Sequence, residues 1–360
     1  LIIEWNQISE KYKDATLILG NGASIAFDEA FGYTTLYEVA YKKNYINQDL
    51  SDLFKKFETT NFELVLYRLW QAREVLNVLK ANTDIIHGNY SLCRDALIKT
   101  VHDVHIKYRS DDDGFINNLE RAAKFLLQFK TIFSLNYDLM LYWIIAIGNR
   151  EGTIFKDCFW ESLPQSNFHL FESNWSFLKN PQAGQEKSIL IFYPHGNLTL
   201  ARLKQEHLHE IDLKIVSPNQ MHLDAIVSVW GQSKLEPVFI SEGDYKEKKK
   251  RIYESNYLNN VYQRGFEEIE QSLVIYGWSI AEQDNHILQR IIEIQDERRK
   301  LKDKVPPISN IAVSIHQNGD EKNFIKHDPS SISRTPCLRD IISSTRSSNG
   351  QKYLHKRVQS

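Results

Sequence analysis

The sequence predicts an α/β fold, an open parallel sheet carrying a mainly helical inserted subdomain, and three observations lead to it. Short apolar runs recur along the chain with little alternation, as strands covered on both faces do. Helical spacing of apolar residues separates several of these runs. The first run, residues 16–19, breaks directly into Gly20-Asn21-Gly22-Ala23-Ser24, which reads as a tight turn opening a helix. Two glycines there let the backbone approach a partner that a Cβ would exclude, and the start of a helix offers N–H groups to an anion.

Taken in order, the predicted buried parallel strands are residues 16–19, 131–133, 189–193, 238–240, 273–276 and 311–315, rich in Ile, Val, Leu, Phe and Tyr. The stretch from about residue 36 to 128 is too long for one crossover helix. Its apolar spacing (Leu64, Leu66, Tyr67, Leu69, Trp70, then Leu119, Ala122, Phe125, Leu126) is helical throughout, so it reads as an insertion between the first two strands. Residues 1–326 then form one Rossmann-like domain. Residues 327–360 are rich in Ser, Arg and Lys with Asp328-Pro329 and Thr335-Pro336 breaks, which predicts a peripheral or poorly ordered tail.

Composition narrows the function classes. The 360 residues are 42% hydrophobic and 25% charged, as in ordinary globular proteins. A net charge of -2 argues against nucleic acid as an obligatory partner. The one basic run, Lys246-Glu247-Lys248-Lys249-Lys250-Arg251, reads as a solvated helix face. The most apolar stretch, residues 139–147, is too short to cross a bilayer, so no membrane partner is expected. Three scattered cysteines, Cys93, Cys158 and Cys337, suit a reducing cytoplasm and cannot form a four-cysteine zinc site within the chain. His102 with His105, and His207 with His209, lack further ligand-type neighbours, so no metal is expected.

Open α/β sheets bind ligands at the carboxyl ends of their strands. Four predicted strand ends carry sparse polar chemistry here: the opening pentad; Ser134-Leu135-Asn136-Tyr137-Asp138; Pro194-His195-Gly196-Asn197; and Gly277-Trp278-Ser279 followed by Asp284 and His286. Each has a structural alternative. Asn136 and Asp138 suit the cap of a following helix, His195 a hydrogen-bonded turn, and Gly277 with Ser279 a strand-to-helix turn. A dinucleotide-dependent dehydrogenase does not fit, because Ile25 stands where the G-x-G-x-x-G fingerprint needs Gly or Ala. Glu38, near the distance of a ribose-binding acid, lies in a helical pattern, and no Gly-Lys-Ser/Thr marks a P-loop.

Together the four segments resemble the sirtuin superfamily, specifically the bacterial SIR2-like domains of antiphage defence, over roughly residues 17–291. Gly20-Asn21-Gly22-Ala23-Ser24 matches the family's glycine-alanine-glycine-x-serine loop, with Asn21 in place of the usual alanine. Asn136-Tyr137-Asp138 matches its Asn-x-Asp element, His195-Gly196 its catalytic histidine-glycine, and Gly277-Trp278-Ser279 its late Gly-x-Ser. The zinc module of the deacylating members is missing, so the resemblance implies plain hydrolysis of NAD+ as a substrate, an NAD+ glycohydrolase without a metal. It implies that residues 20–24 hold the pyrophosphate, Asn136 orients ribose and water, and Asp138 holds ribose hydroxyls or polarises the site. His195 is implied as the general base, with Gly277, Ser279 and Asp284 on the adenosine side. It also implies a homo-oligomer or a separate activating partner such as a HerA-like ATPase or a short Argonaute, with the helical insertion as the interface. The alternatives are a module that binds NAD+ or ADP-ribose without cleaving it, and ADP-ribosyl transfer to a macromolecule.

Overall fold

A computed structural model describes residues 2–27, 33–60, 62–104, 108, 111–162, 166, 168–203, 211–215, 223, 235–240, 245–301, 306–315 and 352–357. In chain order the first strands are β1 (Ile2–Glu4), β2 (Ala15–Leu19), β3 (Phe129–Ser134), β4 (Phe155–Lys156), β5 (Phe159–Ser162) and β6 (Phe168–Phe171). They are followed by β7 (Ile189–Phe192), β8 (Gly196–Leu203), β9 (Ile211–Ile215), β10 (Leu235–Phe239), β11 (Ser272–Tyr276), β12 (Asn310–Ile315) and β13 (Lys352–Arg357).

Eight strands form the main sheet in the order β1-β13-β12-β11-β2-β3-β7-β4. The six from β12 to β4 pair in parallel, with Leu17 opposite Val274 on one side and Ile132 on the other. All five residues of β2 and all four of β7 are buried, which is why both read as unbroken apolar runs. Aromatic packing covers the sheet: the Phe133 ring stacks on Phe266 at 4.6 Å and on Phe192 at 5.2 Å. The chain leaves β2 toward β3 and returns to β11 on the opposite side, so the order of connections reverses beside β2. The crevice at the carboxyl ends of β2, β3 and β11 is therefore where such a sheet binds a ligand.

The helical insertion is present as expected. Helices Tyr33–Lys42, Gln48–Lys56, Phe62–Val78, Asp84–Val104 and Asp113–Leu126 fill the interval between β2 and β3. Asn47 and Asp112 cap two of them by accepting from Leu50 N and Phe115 N. Among the described residues no helix is long and apolar enough to cross a membrane.

One expected strand is placed differently, a second sheet appears, and one strand falls in the expected tail. Residues 238–240 do not extend the parallel sheet: β10 runs antiparallel to β8 in a second, five-stranded sheet ordered β10-β8-β9-β6-β5. A short apolar run reports burial but not direction, so the sequence could not assign its partner. That second sheet went unread as a whole because its strands mix polar and apolar residues. The segment Gly196-Asn197-Leu198-Thr199-Leu200-Ala201 is buried along its full length although half its side chains are polar or absent. Finally, part of the expected tail is structural: β13 pairs antiparallel with β12 and receives β1 on its other side. A polar antiparallel strand beside an edge gives no apolar run to detect. Residues 327–351 of that tail lie outside the described residues, as do His105, His207, His209 and Cys337.

Two glycines in this fold have opposite roles. Gly277 has φ +68°, and a Cβ there would lie 2.3 Å from the Ala23 nitrogen. Gly88, inside helix Asp84–Val104, has open space around its missing Cβ. Gly277→Ala is expected to destabilise the protein by about 1–3 kcal/mol or more, and Gly88→Ala to stabilise it by about 0.5–1 kcal/mol. Urea denaturation of both variants checks this, and a Gly277→Ala midpoint equal to wild type contradicts the close approach.

Candidate functional site

Two buried polar groups meet at the carboxyl ends of the main sheet. The first joins the turn after β2 to the loop after β3. Asn136 donates both hydrogens of its side-chain amide, to the Gly20 carbonyl at 3.0 Å and to Ser24 Oγ at 2.9 Å. Ser24 Oγ in turn donates to Asp138 Oδ2 at 2.5 Å, and Asp138 Oδ1 accepts from the Met140 amide at 2.9 Å. Asp138, one residue before the N-cap Leu139, thus holds the first amide of the helix Met140–Gly148, and it also anchors Ser24. Burial pushes its carboxyl above the usual carboxylate range, and the hydrogen bonds from Ser24 and Met140 oppose that push. With both donors committed, Asn136 presents only its oxygen. Among the described residues Asn136 Oδ1 is buried and has no hydrogen-bond partner.

The second group joins the turn after β7 to the segment after β11. His195 Nε2 lies 3.0 Å from His286 Nε2 and 3.8 Å from Asp284 Oδ1. Asp284 accepts from Lys248 Nζ at 3.0 Å and from the Trp278 indole at 3.1 Å. His195 is 3% exposed and His286 and Lys248 are 0% exposed, so this is a buried charge network rather than a surface cluster. Burial, reinforced by Lys248, lowers the His195 pKa to about 4, against the opposing pull of Asp284 and a backbone hydrogen bond at Leu135. Burial, His195 and Lys248 likewise hold His286 well below its ordinary range. Burial works to raise Asp284, but Lys248 and the two histidines outweigh it and hold the carboxyl ionised, below the usual carboxylate range. At neutral pH the network is one ammonium, one carboxylate and two neutral imidazoles.

Backbone contacts at the glycines tie the groups together. The Gly20 amide donates to Tyr276 O at 2.9 Å and the Gly22 amide to Gly277 O at 2.8 Å, while Ala23 N donates to Gly20 O at 2.9 Å. A Cβ on Gly20 would lie 2.4 Å from the Trp278 Cα. The pentad glycines therefore serve the close approach of two turns. The backbone amides of Gly20, Gly22 and Ala23, in the turn expected to face a pyrophosphate, donate within the protein, because β11 ends directly beside β2.

The other expected site residues divide as follows. Asn136, Ser24 and Asp138 are together, and His195 and Asp284 are together. Asp284, expected on the adenosine side, lies 3.8 Å from His195 Nε2. Asp138 has both oxygens engaged within the protein, by the Ser24 hydroxyl and the Met140 amide. Ser279 is exposed, and its neighbour Trp278 is the residue that reaches the network. Asn21 is half-buried at the first turn of the short helix Asn21–Phe27.

Lys248 and Trp278 were missed. Lys248 sits in the basic run read as a solvated face, and the helix Tyr245–Glu254 buries it instead. Its one sequence signal is Ile252 four residues on, the only aliphatic residue of that helix and itself fully buried. Lys246 and Lys250 are exposed, as expected.

The family described as Domain of unknown function (DUF4917) matches residues 17–318, so the chain belongs to that family. The match begins in β2, ends just beyond β12 and includes every residue of both polar groups. No curated protein matches the chain.

The depressed histidines have a consequence for stability. Between pH 6.5 and about 4 the unfolded chain binds a proton at His195 that the folded protein refuses. Stability is thus fully present above pH 6.5 and falls as pH drops toward 4, by up to about 1.4 kcal/mol per pH unit for each such histidine. Urea denaturation of wild type and His195→Gln between pH 7 and 4.5 checks this, with a shallower decline expected in the variant. Equal slopes would mean that His195 titrates normally in the fold.

Proposed function

We propose that this protein hydrolyses the nicotinamide–ribose bond of NAD+, releasing nicotinamide and an ADP-ribose product. The observation that carries the reading is the locked Asn136 amide, whose oxygen is a buried acceptor with no hydrogen-bond partner among the described residues, next in sequence to Leu135, whose backbone bonds to His195. A buried oxygen without a partner is unfavourable by about 1–3 kcal/mol unless a ligand hydroxyl or water satisfies it. A ribose hydroxyl or the attacking water supplies that donor. The resemblance to SIR2-like domains supports the same assignment.

The bond breaks through an oxocarbenium-like state, so the protein must hold the ribose, keep bulk water out and direct one nucleophile. Asn136 Oδ1 accepts from the hydroxyl or water and fixes its orientation. His195, neutral at pH 7 because burial disfavours its charged form, takes the proton. Ser24 and Asp138 keep the Asn136 amide from turning over. NAD+ is the substrate in this scheme, and no metal is called for.

The proposal extends to setting. Such an activity depletes NAD+ in antiphage defence, in the cytoplasm, and needs restraint until it is triggered. A homo-oligomer or a separate partner such as a HerA-like ATPase or a short Argonaute would provide that restraint. A second reading, a module that binds NAD+ or ADP-ribose without cleaving it, is favoured by one observation: His195 Nε2 is already engaged by His286.

Incubation with NAD+ and chromatography of released nicotinamide separates the two. Asn136→Ala and His195→Ala are each expected to lower release by at least about 100-fold, with unchanged circular dichroism. Near-full cleavage by both variants would remove the assignment. Measurable NAD+ binding with no release by wild type would favour the binding module.

A further inference from the structure

The contact between His195 and His286 has chemistry of its own. Two imidazole nitrogens 3.0 Å apart repel unless one of them carries hydrogen, so the tautomer of one ring dictates that of the other. Both rings are buried, and the groups around them come from four elements. Asp284 approaches from the turn after β11 and Lys248 from helix Tyr245–Glu254. The Tyr262 ring lies 6.4 Å from His286, and its hydroxyl donates to the His286 carbonyl at 3.2 Å. His195 itself is pinned by its own carbonyl, which accepts from the Ile240 amide at 2.8 Å, and its neighbour Gly196 has φ +71° with a would-be Cβ 2.0 Å from Val238 O.

We propose that His286 and Asp284 are positioning residues for His195: His286 holds the ring at Nε2 while the Leu135 backbone holds it on the other side, and Asp284 balances the charge His195 acquires. This rests on the reading of His195 as the base for NAD+ cleavage. In the step concerned, a hydroxyl or water O–H bond breaks, its hydrogen moves as a proton to His195, and the oxygen's electron pair goes toward the ribose carbon as the nicotinamide–ribose bond breaks and nicotinamide leaves with that bond's electrons. His195 becomes a cation 3.8 Å from the Asp284 carboxylate, which Lys248 and Trp278 hold in place. A base oriented by a neighbour, itself held by a third group, is the arrangement that makes a histidine effective. Neither Asp284 nor His286 needs to touch the dinucleotide for this.

The test uses the full chain with its histidines labelled with nitrogen-15, read by NMR, alongside pH–rate profiles of nicotinamide release. His286→Gln keeps a hydrogen-bonding amide where the imidazole stood, and His286→Phe keeps only the ring. The Phe variant is expected to lose about 100-fold in kcat with a displaced pH–rate profile and a KM for NAD+ within about threefold, and the Gln variant to recover much of that loss. A merely structural role would lower the amount of active protein and leave profile and KM unmoved. Asp284→Asn alone removes a counter-charge of Lys248, so the Asp284→Asn, Lys248→Met double variant accompanies it and removes both charges together. In the NMR arm, the His195 ring signals, assigned with His195→Gln, are expected to shift in tautomer or titration midpoint in His286→Gln and in the double variant. Unmoved His195 signals in both overturn the proposal, whether or not NAD+ is cleaved. If wild type releases no nicotinamide while those signals do shift, the activity reading fails and the positioning role stands.

Discussion

The close approach of the turns after β2 and β11 is the constraint on which the site depends. Gly22 donates to the Gly277 carbonyl and Gly20 to the Tyr276 carbonyl, and neither contact has room for a side chain at Gly20, Gly22 or Gly277. Because the turns are held this close, the Gly20 carbonyl is presented to the Asn136 amide and Ser24 stands between Asn136 and Asp138. The same contact fixes Trp278, whose indole then reaches Asp284. Both polar groups are thus assembled from one backbone junction at the point where the strand order reverses.

Burial sets the electrostatics of what is assembled. An ammonium with no exposed surface survives in a protein interior only beside a counter-charge, and Asp284 is that counter-charge for Lys248. Once the pair is present, a further positive charge on either histidine is disfavoured by burial and by Lys248, and favoured by Asp284. The histidines are consequently neutral in the resting protein, and a proton accepted by His195 meets a carboxylate already in place. Removing Asp284 alone would take a counter-charge from the buried Lys248, which makes the pair matter to folding.

The parts of this design visible in the sequence are those written as local pattern. Strands β2, β3, β7, β11 and β12 showed as apolar runs because both faces of a parallel sheet are covered, and the insertion showed through its helical spacing. The polar residues at the strand ends, Asn136, Asp138, His195 and Asp284, stood out against those runs. What stayed hidden is what depends on register between distant segments. The antiparallel sheet mixes polar and apolar residues, so β8 gave no run, and β10 gave one that pointed to the wrong sheet. Lys248 looked like its solvated neighbours because the face a helix buries is decided by its partner, here the turn carrying Asp284. The contact between Gly22 and Gly277 stayed hidden for a related reason: a missing Cβ admits a ligand or another backbone equally well, and the sequence does not show which backbone lies beside it.

Ile280 carries the argument one step further. It is a buried β-branched residue at φ +50°, a conformation such residues seldom adopt and one that is unfavourable by about 1–3 kcal/mol. It lies between Trp278 and Asp284, the donor and acceptor of the indole–carboxylate hydrogen bond, so the chain must reverse there within six residues. A glycine at position 280 would relieve the backbone but give up the apolar contacts of a side chain that is only 5% exposed. The strain is held by burial on one side and by the Lys248–Asp284–Trp278 contacts on the other. Strain concentrated between two residues of a buried charge network, and not in an exposed loop, is what a site whose geometry matters more than local stability would contain.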